Sequence, residues 1–102
     1  MVVYNVTCNL ETSLAPEWLE WMKNEHLPEV MGTGCFIEYK IMKLMSNEDD
    51  DHGVNYAIQY LCESHETLAH YRSEFGPGLQ AKTYSKFGEK VLAYRSVLEI
   101  VD

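Results

Sequence analysis

The spacing of apolar residues switches from a period of two to about 3.6 and back, twice over, and few folds accommodate that alternation. Val2, Tyr4, Val6, Cys8 and Leu10 share one side of the opening segment, and Val3, Asn5, Thr7 and Asn9 share the other, as in a β-strand. Leu14, Trp18, Trp21, Met22, His26 and Val30 then recur at helical spacing. Ser13 or Thr12 is placed to cap this helix. Pro16 and Glu17 fall in its first turn, where a missing N–H and a negative charge both suit. Pro28 removes a backbone hydrogen bond, so the regular helix is expected to kink or end near Glu25, with Gly32 and Gly34 marking the exit.

Residues 35–45 read as a second strand and residues 54–62 as a third, joined into a hairpin by the polar run 46–53. The acids in that run resemble a calcium loop only superficially. Counting from Asn47, the required glycine position holds His52 and the bidentate acid position holds Ile58, so a solvated loop with Gly53 at a turn is the reading. Ser64 caps a second helix with Glu66 in its first turn and Leu68, Tyr71, Arg72 and Phe75 along its buried stripe. Gly76-Pro77-Gly78 breaks that helix, residues 79–87 resume it as far as Gly88, and residues 90–101 form the last strand. The order β-α-β-β-α-β predicts an α+β, ferredoxin-like domain spanning residues 1–102. Its four-stranded antiparallel sheet, in the order 4-1-3-2, carries both helices on one face.

The other face needs a cover. The second strand sets Phe36, Met42 and Leu44 against Ile37, Tyr39, Ile41 and Met45. The last strand sets Leu92, Tyr94, Leu98 and Ile100 against Val91, Ala93, Val97 and Val101. An open face of that quality would be a large apolar patch, so a homodimer that pairs the two open faces into an α/β barrel is expected.

Charge and cysteine content narrow the partners. Sixteen acids against eight Lys and Arg leave a formal charge of −8, a field that disfavours nucleic acid and anionic membranes. Cys8, Cys35 and Cys62 are odd in number, lack a CxxC pairing and fall in expected strands, which suggests reduced, buried thiols in the cytoplasm rather than a metal site. The opening segment alternates and lacks a basic region, unlike a signal peptide, and no apolar run approaches the ~20 residues of a membrane span.

No catalytic signature stands out. His26, at the edge of the apolar stripe, could serve as a general base, ligate haem iron, or be a satisfied core histidine. Glu25 and Glu29 flank it but point elsewhere on the helical wheel. Asn5 and Gln59, mid-strand amides that need partners if buried, could line a polar pocket or mark a wetter face. Arg95, a lone cation in an apolar strand, could pair with Glu99 or with a ligand carboxylate. His65 and His70 lie five apart and cannot ligate a metal from one helix face at the i, i+4 spacing.

Several motifs together resemble a known family. They are Tyr4-Asn5-Val6-Thr7, Trp18-x-x-Trp21-Met22 with His26-x-Pro28-Glu29-Val30, Thr33-Gly34, Tyr56-x-x-Gln59-Tyr60, and Phe87-Gly88 before Tyr94-Arg95-Ser96-x-Leu98-Glu99. This set is similar to short bacterial proteins of unknown function within the dimeric α/β barrel group, over nearly the whole chain. The resemblance implies a ferredoxin-like protomer and a homodimer, and the His-x-Pro followed by glycine is similar to a feature of EthD-type proteins. The wider group includes cofactor-independent monooxygenases and haem-degrading enzymes that use an Asn, a Trp and a His. Asn5 matches in place, but the tryptophans lie on the first helix and no Trp accompanies His65 or His70, which departs from the haem pattern.

Three readings follow. The first is a homodimer binding a small molecule between helices and sheet, with Asn5, Trp21, His26, Gln59 and Arg95 as lining and no cofactor or metal. The second is a cofactor-independent monooxygenase or small isomerase in the same pocket, with His26 as base. The third is a partner-binding module whose apolar sheet face serves assembly.

Overall fold

The computed structural model describes residues 1–45 and 53–102, so the reading of the acid run as a solvated loop lies almost wholly outside the described residues. β1 (Val2–Leu10), β2 (Glu38–Lys43), β3 (Val54–Cys62) and β4 (Val91–Glu99) form one antiparallel sheet in the order β2-β3-β1-β4, the expected topology. Between them run α1 (Ala15–Trp21), α2 (Leu27–Gly32), α3 (His65–Glu74) and α4 (Gly76–Phe87).

Alternation decides sidedness. In β1 and β3 every even-numbered residue is buried and every odd-numbered one is partly exposed. The even side meets the helices: Tyr4, Val6, Leu10, Tyr56, Ile58 and Tyr60 join Trp18, Met22, Leu27, Val30, Leu68, Tyr71, Leu79 and Phe87 in one core. Trp18, Leu10, Leu27, Ile58 and Val30 are fully enclosed, and such burial stabilises by about 1.5–3 kcal/mol for each aliphatic side chain. Ser64 caps α3 as expected, its hydroxyl accepting from the Thr67 N–H at 3.2 Å.

Several sequence expectations change at the level of the helices and β2. Regular helical geometry gives way around Glu25, as expected, but the winding does not end there and takes no side-chain cap from Ser13 or Thr12: residues 12–14 form a 3-10 turn and Leu14 holds the cap position, with Pro16 and Glu17 in the first turn as anticipated. Regular α geometry stops at Trp21, a π turn spans Met22–His26, and winding continues through Pro28 to Gly32. Pro28 has no N–H for the Asn24 carbonyl and its ring would crowd that turn. The wider turn, in which the Leu27 N–H reaches back to the Met22 carbonyl, accommodates it without ending the helix. The break in the second arm falls at Phe75, and Gly76-Pro77-Gly78 form the first turn of α4 rather than a gap, because proline suits that position.

β2 is shorter than residues 35–45, so Cys35 is not in a strand. Phe36 also leaves the side that strand alternation assigns it. It packs at 4.7 Å from Tyr71, 4.9 Å from Tyr60 and 6.3 Å from Tyr4, an aromatic cluster that outcompetes continued pleating. Arg72 is exposed rather than part of the buried stripe, its guanidinium 5.4 Å over the Tyr4 ring. All three cysteines are buried and unpaired, and the Cys62 thiol donates to the Cys35 carbonyl at 3.4 Å.

The odd-numbered side of the sheet is open. Its register sets out rows across the strands: Leu98-Val3-Leu61-Glu38, then Ser96-Asn5-Gln59-Lys40, then Tyr94-Thr7-Ala57-Met42. Met42, Leu44, Leu92, Tyr94 and Leu98 are each between 40% and 65% exposed there.

Candidate functional site

A cavity of about 70 Å³ lies between the helices and the even-numbered side of the sheet. Its floor is Tyr4, Val6 and Cys8 from β1, Ile58 and Tyr60 from β3, and Val91, Ala93 and Arg95 from β4. Its roof is Trp18, Met22 and His26 from the first helical arm and Tyr71, Leu79, Gln80 and Thr83 from the second. The π turn sets this roof. It carries both Met22 and His26, and widening of this kind recurs where a helix presents functional side chains.

Of the five sequence-derived site residues, the structure brings two to this cavity. His26 and Arg95 line it. Trp21 stands beside it instead, stacked on the His26 ring at 5.1 Å and edge-on to Phe87 at 5.3 Å, so it orients the imidazole rather than lining the space. Asn5 and Gln59 belong to the opposite, open side of the sheet. There the Gln59 amide donates to Asn5 Oδ1 at 3.3 Å, and Asn5 Nδ2 donates to Thr7 Oγ1 at 3.0 Å and towards Ser96 Oγ at 3.4 Å. Their odd numbers separate them from the odd-numbered Arg95 because Val6 pairs with Arg95 and Asn5 with Ser96 across the β1–β4 ladder.

The pairing of Arg95 with Glu99 does not form. Glu99 Oε1 lies instead 3.6 Å from His65 Nε2, and among the described residues no carboxylate pairs with Arg95. Arg95 nevertheless acts on four cavity groups, opposing the upward shifts at Cys8, Tyr60 and Tyr71 and adding to the downward one at His26. Burial is the larger cause throughout. It pushes the Cys8 thiol up to about 11, the Tyr71 phenol up to about 12 and the Tyr60 phenol higher still. Burial lowers the His26 pKa below its ordinary value, with Glu29 opposing and Arg95 assisting, so the imidazole is neutral at pH 7. Glu29 is itself tied to Lys82 at 2.6 Å, a bridge between α2 and α4. The buried Trp18 Nε1–H, also at the cavity, has no hydrogen-bond partner among the described residues.

Tyr4, Tyr60, Tyr71, Trp18 and Cys8 line the cavity but are not among the candidate site residues expected from the sequence. The signal is parity combined with register: once Val6 is known to pair with Arg95, the even positions of β1 and β3 share a side with Arg95. Among the described residues no three His, Cys, Asp or Glu side chains converge as metal ligands, and no helix is long and apolar enough to cross a membrane.

The profile of a domain of unknown function, DUF4286, matches residues 1–101. No curated relative matches the sequence. Among solved structures, an EthD family protein from Bacillus halodurans superposes with a TM-score of 0.73 at 16% identity, covering 99% of this chain and 100% of that one. A dimeric ferredoxin-like protein from an uncultured marine organism gives 0.70 at 16% identity, covering 100% of this chain and 96% of its own. An arginine-to-serine variant of MhuD, with two manganese protoporphyrin IX bound per active site, gives 0.71 at 18% identity over 100% of this chain and 96% of that one. At such identities the likeness is one of fold.

Proposed function

We propose that this chain, which belongs to the DUF4286 family, forms a homodimer through its open sheet face and binds a small molecule in the cavity under its helices. The observation that carries the binding reading is the cavity itself, where His26 and an Arg95 that pairs with no carboxylate among the described residues border a largely apolar and phenolic lining that also includes Gln80 and Thr83. Two observations support the dimer. The open side presents apolar rows on both edge strands, and a solved relative of this fold is described as dimeric. Buried, unpaired thiols suit a reducing compartment, so we place the protein in the cytoplasm.

Haem does not fit the site. At about 70 Å³ the cavity is roughly half the ~150 Å³ that encloses a benzene molecule, far short of a tetrapyrrole. A second reading, cofactor-independent oxygenase or isomerase chemistry with His26 as base, is favoured by the place of His26 in the cavity lining, where burial holds its pKa below the ordinary value. Native mass spectrometry of the purified protein tests the main reading, with a dimer carrying small adducts as the expected result. His26→Gln then separates the two readings. Retained binding with lost turnover supports the catalytic one, and a monomer that binds nothing at the cavity overturns the main one.

A further inference from the structure

The cavity is lined entirely by neutral or cationic groups. Among the described residues no Asp or Glu borders it, and Glu29, the acid that acts on His26, is held by Lys82 at 2.6 Å. The net charge of −8 repels anions at long range, but at physiological ionic strength charges beyond about 8 Å are largely screened, so the local groups decide what binds. Those local groups include several donors, the Arg95 guanidinium, the Tyr60 and Tyr71 hydroxyls, and the buried Trp18 N–H that has no partner among the described residues, beside Gln80 and Thr83, which can donate or accept. Met22, Ile58 and Leu79 supply apolar wall on the same cavity. A fork of donors beside apolar wall matches a carboxylate on a short hydrocarbon.

Resting on the cavity reading above, we infer that the ligand is a short organic carboxylate whose head group sits on Arg95 and whose tail lies against Met22, Ile58 and Leu79. Size sets the length. A cavity of about 70 Å³, roughly half of what encloses the six carbons of benzene, takes a hydrocarbon tail of about three carbons once the head group sits on the exposed Arg95, and excludes a phenyl ring. The guanidinium can donate to both carboxylate oxygens in the bidentate geometry that a lysine cannot reproduce. The neutral imidazole of His26 leaves Arg95 as the head group's cationic partner at pH 7.

The test uses the full-length protein titrated with sodium butyrate, butyramide and sodium benzoate, followed by the indole N–H resonance of Trp18 in two-dimensional NMR. Butyrate is expected to shift that resonance and to bind at least about tenfold tighter than butyramide, the margin an added charged hydrogen bond provides. Benzoate is expected to leave it unmoved. Arg95→Gln should erase the preference for butyrate, and Arg95→Lys should keep part of it; Arg95 is exposed, so both variants should fold. Equal binding of butyrate and butyramide, or an unchanged preference in Arg95→Gln, overturns the carboxylate assignment while leaving the cavity reading intact. A Trp18 resonance that no probe moves, with shifts confined to surface residues, overturns both.

Discussion

Replacing Leu98 by Asp separates a dimer from a monomer more sharply than any other single change. Leu98 stands in β4 on the open side of the sheet, 47% exposed, in a row with Val3 and Leu61. In a free monomer an aspartate there is solvated, and the expected change in stability is within about 0.5 kcal/mol. In the proposed dimer the remaining half of the leucine is buried, a loss of about 1 kcal/mol per protomer from the ~1.5–3 kcal/mol of full burial. An uncompensated charge in its place costs a further ~3–5 kcal/mol. A two-fold interface counts each change twice, giving about 8–12 kcal/mol. Even a third of the smaller figure weakens association about a hundredfold. Sedimentation equilibrium over a range of micromolar concentrations, with circular dichroism to verify the fold, reads the effect directly. The expected outcome is a folded monomer. A Leu98→Asp protein that dimerises as tightly as the parent, or a parent that sediments as a monomer, would falsify the open-face dimer.

Other outcomes follow from burial and backbone geometry. Because the folded pKa of His26 lies below its unfolded value near 6.5, the unfolded chain binds more protons in the window just below pH 6.5, and stability must fall as pH drops through it. Urea midpoints at pH 7.5 and 5.5 should therefore converge for His26→Gln relative to the parent; equal pH sensitivity in both would remove His26 as the cause. Cys8, with its thiol pushed up to about 11, is about one part in a thousand thiolate at pH 8, so iodoacetamide should label the native protein at Cys8 only on the unfolding timescale. Rapid alkylation at Cys8 would contradict its burial. Gly53 holds φ +97, and a Cβ added there would collide with the Leu10 carbonyl, so Gly53→Ala should cost about 1–3 kcal/mol from backbone strain before any clash is added, read as a drop in the urea midpoint. A neutral substitution there would mean the turn reshapes freely.

What the sequence determined by itself is local and periodic. Alternation from Val2 to Leu10 and from Val54 to Cys62 marks the strands, helical spacing of Trp18, Met22 and Val30 marks the covering helix, and Ser64 marks the start of α3. Each is written in neighbouring residues, because side-chain direction follows from backbone period alone. The order of these elements then left the 4-1-3-2 sheet as the natural topology. Sidedness is different. A strand's alternation looks the same whichever face the helices cover, so nothing local could tell that Asn5 and Gln59 face outward while Tyr4, Tyr60 and Arg95 face the cavity. The Pro28 helix is a similar case. Local rules require a disturbance at that proline, but the packing of Trp18, Met22, Leu27 and Val30 into one core favours a widened turn over a broken helix. Tertiary packing also drew Phe36 out of the strand pattern and set the 70 Å³ between His26 and Arg95. Cavities and faces arise between elements distant in sequence, and their free energy belongs to contacts that no single stretch of chain contains.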